Sequence, residues 1–452
     1  MKKRARSFSR RREAAPRSSE RSAAAPQLVQ IEKPVYGGAF LARVEGKAMF
    51  VPLALPGEQA RVRVVEEKRG YATAEVEKIV AAAAERVTPA CKYFGTCGGC
   101  QYQHAEYKAQ IEMKQAILRE TLERGGVRAP EAMAVLMGDP WAYRNRIRLA
   151  FDAEGRAGYR GRRSHAVIAI DECPIAAPLL VQAAMVAGEI VRELPAQLRP
   201  TEIALFCDAA ETALLASATV AGGRVDGLED FARTFQERVP ETKGVEFLAE
   251  AERGREARGV AQWGASSLLY SAAGFDYRVD RGAFFQVNRW LVDELVECVT
   301  NGLSGGLAHH GGHAWDLFAG VGLFARKLVE QFERVIAVES GPAAVAALKH
   351  NLDGTNATAV KATTLDFLRG AAKRERPNVI IVAPPRTGLG AETTELLGRI
   401  GAPEMVYVSC DPATLARDLR ALAGAGYVME HITLADLFPQ TFHLETVVKL
   451  RR

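Results

Sequence analysis

The chain has 452 residues, 48% of them apolar, with seven cysteines and a formal net charge of +5. That length predicts two to four domains with sizeable cores. No apolar run reaches the length of a membrane span, and no hydrophobic stretch follows the basic N-terminus, so neither a membrane protein nor a secreted one is expected. Residues 1–25 carry nine Lys/Arg against two Asp/Glu, or +7, so the other 427 residues sum to −2. A nucleic-acid footprint in the folded body therefore has to be local. A cytoplasmic location implies reduced thiols, available for metal ligation or catalysis.

Residues 1–26 are rich in Arg, Ser, Ala and Pro and predict a basic disordered tail, either a salt-sensitive RNA-holding arm or simply a solvated one. Residues 27–82 hold short alternating runs such as A-M-F-V-P-L and A-R-V-R-V-V, punctuated by Gly37-Gly38, Glu45-Gly46, Pro56-Gly57 and Arg69-Gly70. This spacing predicts a small OB-like β-barrel. Residues 27–80 hold eight basic against seven acidic side chains, so composition alone does not mark the barrel as RNA-binding.

Residues 83–280 form a central α+β domain by the same reading. It opens on C-K-Y-F-G-T-C-G-G-C, with Cys91, Cys97 and Cys100, and contains a distant Cys173 before a proline. A close triplet plus a remote Cys-Pro fits iron–sulfur ligation better than zinc, which favours two short pairs. His104 is the only nearby substitute ligand. Cys207 and Cys298 have no partner at motif spacing and read as core. Tyr107, Ile111, Leu118 and Leu122 predict a helix over 103–124, ended by Gly125-Gly126. Residues 141–165 hold seven arginines against two acids, interleaved with Trp141, Tyr143, Phe151 and Tyr159. Arg144 and Arg146 are candidates for RNA contact in a strand-like W-A-Y-R-N-R-I-R-L-A-F, although an ordinary solvated arginine face has the same pattern.

Residues 281–452 alternate strand-like runs (H-A-W-D-L-F, V-I-A-V-E, N-V-I-I-V-A, M-V-Y-V-S-C, T-V-V-K-L) with helical segments such as 341–352 and 413–423. This predicts a Rossmann-like, doubly wound sheet, and the chain as a whole is multidomain α/β. In Asp316-Leu-Phe-Ala-Gly320-Val-Gly322-Leu-Phe324 a strand gives way to a glycine turn and a helix. Glu339 ends the next strand 23 residues after Asp316, where an acid can accept both ribose hydroxyls of a nucleoside cofactor. Cys410, in Ser409-Cys410-Asp411-Pro412, ends a parallel strand on the ligand side of such a sheet. A following helix N-terminus is expected to lower its pKa, with Asp411 opposing. Ala383-Pro384-Pro385-Arg386 adds an irregular loop with a cation, and Glu445 offers a base beside Cys410. Phe284-Phe285-Gln286-Val287-Asn288 pairs aromatics with amides, and Phe284 is a candidate to stack on a base.

Taken together these segments resemble the RNA uracil-C5 methyltransferases, S-adenosylmethionine-dependent enzymes, over about residues 27–452. The resemblance implies that the barrel is a TRAM domain, that Cys91, Cys97, Cys100 and Cys173 hold a [4Fe–4S] cluster, and that 281–452 is a class I methyltransferase domain. It makes Cys410 the nucleophile and Glu445 the base, and puts Gln286, Phe318, Gly320, Gly322, Glu339 and Asp366 at cofactor positions. TRAM plus cluster is the arrangement of the ribosomal-RNA members, so 23S rRNA is the expected partner, with no membrane and a monomer favoured. Two departures stand out. Ala383 occupies the place of the family's usual Asp before Pro-Pro-Arg, which puts base readout in question. Leu323 stands where many members carry Asn. The alternatives are a non-catalytic or weakened RNA-binding paralogue, a tRNA methyltransferase, a cytosine-C5 enzyme (which lacks its expected extra cysteine here) and an iron–sulfur redox protein.

Overall fold

The computed structural model describes residues 25–221, 227–250, 258–303, 312–371 and 375–452. The tail reading for 1–26 lies almost wholly outside them. Among the described residues no helix is long and apolar enough to cross a membrane.

Strands β1 (Gln27–Val35), β2 (Ala39–Val44), β3 (Lys47–Pro52), β4 (Gln59–Glu67) and β5 (Tyr71–Ala81) close into a barrel in the order β1-β2-β3-β5-β4. Alternate residues such as Val29, Ile31, Phe40, Val51 and Val62 point inward and form its core. Glu45 and Gly46 both take positive φ (50° and 80°), the two-residue turn that matches strand twist in a hairpin. The barrel is latched to the next segment by the buried Glu58, which accepts from Arg86 Nη2 at 2.7 Å, and by His104 Nε2, 2.9 Å from the Ala54 carbonyl.

Helix α1 (Tyr107–Arg124) starts four residues later than its pattern suggested, because 103–106 instead form a turn packed under the barrel. Its apolar face does not stay in the central domain. Ile111, Ile117, Leu118 and Leu122 join the core of the C-terminal sheet, and Gly125 lies so close to Ala416 that a Cβ would be 2.6 Å away. Strand β6 (Ala134–Leu136) then joins the edge of that same sheet.

The central sheet contains β7 (Arg146–Phe151), β8 (Ala157–Arg160), β9 (Val167–Ala169), β10 (Pro200–Cys207), β11 (Leu214–Val220), β12 (Thr242–Ala249) and β13 (Gly259–Gly264), ordered β13-β12-β11-β10-β7-β8-β9. Helices α2 (Pro178–Glu193) and α3 (Leu228–Arg238) cover one face, against Ile147, Leu149, Ile203, Leu205 and Phe247. Period-two alternation turns Arg146 and Arg148 to the other face. The expected strand from Trp141 begins only at Arg146. Ala142 adopts φ 46°, and Arg144 bridges separately to Ala176 and Asn288, so this stretch links sheets rather than extending one.

Hairpin β14 (Ser267–Ala272) and β15 (Phe275–Asp280) and helix α4 (Val292–Thr300) pack on the C-terminal core through Leu268, Tyr270, Tyr277 and Leu295. That core surrounds β16 (His313–Leu317), α5 (Leu323–Leu328), β17 (Arg334–Glu339), α6 (Pro342–Asn351), β18 (Ala357–Lys361), α7 (Thr364–Ala371), β19 (Val379–Val382), α8 (Ala391–Ile400), β20 (Glu404–Ser409), α9 (Pro412–Gly424), β21 (Val428–Ala435) and β22 (Glu445–Arg451). The sheet order is β18-β17-β16-β19-β20-β22-β21-β6, and only β22 runs antiparallel to its neighbours. Strands buried on both faces read as continuous apolar runs, as β19 and β20 do. A domain boundary at 281 therefore cuts through a shared core. Helix α1, β6 and the β14–β15 hairpin all precede it in the chain yet pack with the C-terminal sheet.

A polar clasp fixes the loop between β21 and β22. Fully buried Lys114 on α1 donates to Asp436 (2.5 Å) and to the Phe438 carbonyl (2.9 Å). Gln110 and Gln440 exchange two hydrogen bonds of 2.9 Å, and Tyr143 donates to the Pro439 carbonyl at 3.0 Å. Burial pushes the Lys114 ammonium down, against Asp436, which raises it. Lys114→Met leaves a buried carboxylate unpaired and is expected to cost about 3–5 kcal/mol in urea unfolding. The double variant Lys114→Met/Asp436→Leu is expected to recover most of that loss, and no recovery would show that the pair is not the source.

Candidate active site

Strand β16 delivers Leu317 to its C-terminal edge, after which the chain turns sharply. Phe318 and Gly320 take φ of 65° and 57°, and Gly322 (φ 91°) caps α5. A Cβ at Gly322 would be 2.8 Å from Leu348, whereas one at Gly320 would meet nothing within 4 Å. The turn thus leaves an open cradle over its first glycine. Glu339 closes β17 beneath it and accepts backbone N–H bonds from Gly320 (2.9 Å), Ser340 (2.6 Å) and Gly341 (2.7 Å). A carboxylate has about four lone-pair sites, so acceptor capacity remains for a ribose. Asp316 is fully buried. One oxygen accepts from Ala325 N (2.9 Å) while Oδ1 has no protein partner. Burial above all, with Glu339 adding to it, lifts its carboxyl to about 7. An open glycine cradle beside an orphaned buried oxygen fits a nucleoside ligand with donor groups.

Two predicted cofactor positions are less directly engaged. Gln286 is half-buried, and its carbonyl accepts from Asn145 Nδ2 at 2.9 Å. Asp366 is exposed on the first turn of α7. There it accepts from the Thr363 hydroxyl (2.7 Å), receives no bond from the cradle, and pairs with Arg369 at 3.3 Å.

The reactive pair follows from strand register. Strands β20 and β22 are antiparallel neighbours with Ser409 opposite Thr446. Cys410 and Glu445 flank this last pair, and the Glu445 charge acts on the Cys410 thiol. Glu445 is 7% exposed, and its burial lifts the carboxyl to about 8, with Arg386 opposing. Burial, then the Glu445 charge and Asp411, push the Cys410 thiol up to about 11, against Arg386. The expected lowering by a helix N-terminus is not realised. Asp411 caps α9 with its own carboxylate, accepting from Ala413 N (3.1 Å) and Thr414 N (2.9 Å), so these two donors are already engaged.

Arg386 is the cation of the site. It follows β19, contacts His443 Nδ1 at 3.3 Å, and acts on Cys410, Glu445 and Tyr36 together. Burial pushes His443 down to about 4, so it is a neutral acceptor at neutral pH. Tyr36 comes from the barrel. Its ring meets Phe442 edge-on at 5.6 Å and its hydroxyl faces Asp411, with burial and Asp411 lifting the phenol to about 12. Gly38 permits this approach, since a Cβ there would overlap Gln101 and crowd Phe442. Tyr36 and His443 escaped the sequence reading as site residues. The Tyr-Gly-Gly turn and the His two places before Glu445 were the available signals.

The four predicted cluster ligands, Cys91, Cys97, Cys100 and Cys173, line one cavity. Burial dominates the upward push on each thiol, to about 12 for Cys100; neighbouring thiols add to it at Cys97, Cys100 and Cys173, and Glu172 does so at Cys91. Gly99 N donates to Cys97 Sγ at 3.4 Å, and Tyr159 OH lies 3.8 Å from Cys173 Sγ. Among the described residues no group of three or more His, Cys, Asp or Glu converges as one metal ion requires. An iron–sulfur cube spreads its thiolates more widely than a single ion does, and four thiols with N–H and O–H donors around one cavity fit it.

Of the predicted RNA contacts, Phe284 is 63% exposed and free to stack. Arg144 and Arg146 both line the cysteine cavity, and the Arg144 charge also acts on His443.

A small barrel beside a doubly wound sheet, with a glycine cradle at the strand ends, is the architecture of an enzyme that binds a nucleoside cofactor. Comparison gives the family. Residues 265–452 match the family described as tRNA (Uracil-5-)-methyltransferase, and residues 26–76 match the TRAM domain. An uncharacterized RNA methyltransferase of Streptomyces avermitilis is 34% identical over 442 residues, covering 93% of this chain and 97% of that one. The 23S rRNA (uracil(1939)-C(5))-methyltransferase RlmD of Halomonas elongata is 33% identical over 463 residues, covering 96% and 92%. The Pyrococcus abyssi tRNA (uracil-54, C5)-methyltransferase, solved with S-adenosyl-L-homocysteine, superposes with a TM-score of 0.74 at 23% identity, covering 93% and 99%, and shares the fold. The chain belongs to the RNA uracil-C5 methyltransferases, enzymes that use S-adenosylmethionine.

Proposed function

We propose that this enzyme methylates C5 of a uridine in 23S rRNA through a covalent adduct between Cys410 and C6. The observations that carry this reading are that Cys410 and Glu445 flank the Ser409–Thr446 pair at the end of the β20–β22 ladder, and that the Glu445 charge acts on the Cys410 thiol. C5 of uracil is a weak nucleophile toward a sulfonium methyl. Once its thiol proton has left, addition of the Cys410 sulfur to C6 moves the ring electrons into an enolate, which makes C5 able to take the methyl group that S-adenosylmethionine would supply when bound. Glu445 then takes the C5 proton, the C5–C6 double bond re-forms and the Cys410–C6 bond breaks. Arg386 favours the anionic forms of both groups. Phe284 is suited to stack on the base once it leaves its helix.

Phe318, Gly320, Gly322 and Glu339 would hold the methyl donor, with Gln286 at the rim. Asp366 is the weakest of the cofactor assignments, since its bonds are to Thr363 and Arg369. Cys91, Cys97, Cys100 and Cys173 would hold a [4Fe–4S] cluster. Such a cluster would tie the loop of 91–100 to Cys173 and needs no redox role in methyl transfer.

The ribosomal choice is supported by full-length similarity to the RlmD relative and by the TRAM domain. Tritiated methyl transfer from S-adenosylmethionine to total RNA, followed by mapping of 5-methyluridine in a deletion strain, tests it. A lost mark in tRNA instead would redirect the substrate, and no transfer would favour a non-catalytic paralogue.

Ala383 continues β19 beside the cradle strand, its N–H bonded to the Leu317 carbonyl at 3.2 Å. Restoring the family's carboxylate there, Ala383→Asp, is expected to raise turnover severalfold. An unchanged or lower rate means that another group has taken over its role.

A further inference from the structure

The uncovered face of the central sheet borders the same cavity of about 730 Å³ that Cys91, Cys97, Cys100 and Cys173 line, and its arginine-bearing part is used neither by those thiols nor by the methyl-transfer chemistry. Its floor is β7, β10, β11 and β12, and one wall is the cysteine loop. Arg281, just after β15, stands at its edge. Its Nη2 donates to the Ala265 carbonyl, but its Nε and Nη1 are shielded from water and have no protein acceptor. Gly244 makes room for this guanidinium, because a Cβ at 244 would overlap both Arg281 Nη2 and the Ala265 carbonyl. Arg146 lies over the Phe206 ring, 4.3 Å from its centroid, and is tethered by an Nη1 bond of 2.9 Å to the Ala283 carbonyl.

Two guanidinium groups are thus held in fixed positions at one cavity. With Arg144 and Arg148, the lining carries four arginines against Glu172 and Glu246, apart from the four cysteines. Buried N–H groups without acceptors are rare and are normally met by a ligand or water. A guanidinium fork matches phosphate oxygens in pairs. Leu215, Leu248 and Val287 supply apolar surface of the kind a base face covers. Val287 also follows Gln286 directly, so the cavity shares a backbone segment with Phe284.

We propose that this cavity is a second nucleotide site, which takes a phosphodiester and its attached base from the RNA flanking the target uridine. This rests on the RNA reading above but not on the uracil chemistry.

The test uses the full-length protein, purified with whatever metal it carries, and a fluorescent oligoadenylate, which contains no uracil. Arg281→Gln is expected to weaken binding about tenfold and to reduce the slope of log affinity against log salt by about 1. Ser217→Trp, which fills the cavity from the sheet floor, is expected to weaken binding similarly while leaving Arg281 in place. Unchanged affinity and slope in either folded variant, checked by circular dichroism, overturns the proposal. Crosslinking of the wild-type protein with an 8-azidoadenosine oligonucleotide needs no substitution. Adducts are expected on the peptides of β11 or around Arg281, and adducts confined to other regions overturn it. Because no uridine is present, failure here is distinct from failure of uracil methylation, which adduct formation with 5-fluorouridine RNA reads separately.

Discussion

Replacement of Cys410 by alanine is expected to reduce methyl transfer by on the order of 10⁴-fold or more, because removing a covalent nucleophile removes the route itself. The decisive measurement is adduct formation. With 5-fluorouridine RNA, wild-type protein is expected to form a methylated adduct stable to denaturing gels, since fluorine at C5 cannot leave as a proton does. Cys410→Ala is expected to form none. An adduct that persists in the variant would assign the attack to another thiol, and Cys298 and Cys207 are the remaining cysteines outside the cluster set. Absence of an adduct from wild-type protein with a verified RNA substrate would remove the covalent mechanism. Cys410 sits in a half-buried environment that lifts its thiol to about 11. It is therefore protonated in the free enzyme at neutral pH, and its attack requires loss of that proton when the base is in place.

Glu445→Gln is expected to lower turnover by about 10²–10⁴-fold, the usual contribution of a positioned general base. It should stall the reaction after methyl transfer. Ordinary uridine RNA is then expected to accumulate the methylated Cys410 adduct, as fluorinated RNA does in the wild type. Free methylated product at the wild-type rate would show that another group takes the C5 proton. The pH dependence carries a sign. Glu445 acts ionised, and burial lifts its carboxyl to about 8, so the rate of adduct breakdown, in which Cys410 is already bonded to C6, should rise with pH up to that region. Below it the rate should fall about tenfold per pH unit. Arg386 holds this value down, so Arg386→Met should move the limb to higher pH. A limb unchanged by both Glu445→Gln and Arg386→Met would belong to a different group.

The same burial affects stability. Between the unfolded carboxylate value of roughly 4.3 and about 8, the folded protein keeps a proton on Glu445 that the unfolded chain has lost. Stability is therefore expected to fall as pH rises through that window.

Much of the fold was legible from local pattern. Buried parallel strands such as V-I-I-V must be continuously apolar, and barrel strands must alternate, so both leave marks in the order of residues. Strands β18 and β21 were not marked. The first is short and rich in small residues, and the second carries Glu430, His431 and Thr433 on its edge side. The cut placed at 281 divides a shared core for a related reason. Helix α1 looks the same in sequence whichever sheet its apolar face covers.

The site divides similarly. Cys410, Glu445, Gly320, Gly322 and Glu339 follow from strand-end position and motif, because each depends on the few residues around it. The roles of Tyr36, His443 and Lys114 depend on segments brought together from far apart, and so do the raised thiol and carboxyl at 410 and 445. Electrostatics in a buried site are set by which charges face one another and how much water is excluded. By itself the sequence determined most of the elements, the cysteine spacing and the candidates proposed as the reacting pair. Only the tertiary structure decided that Arg386 is the cation shared by that pair, that the barrel reaches Asp411, and that Nε and Nη1 of Arg281 are left without an acceptor, because contact and burial are properties of packing rather than of chain order.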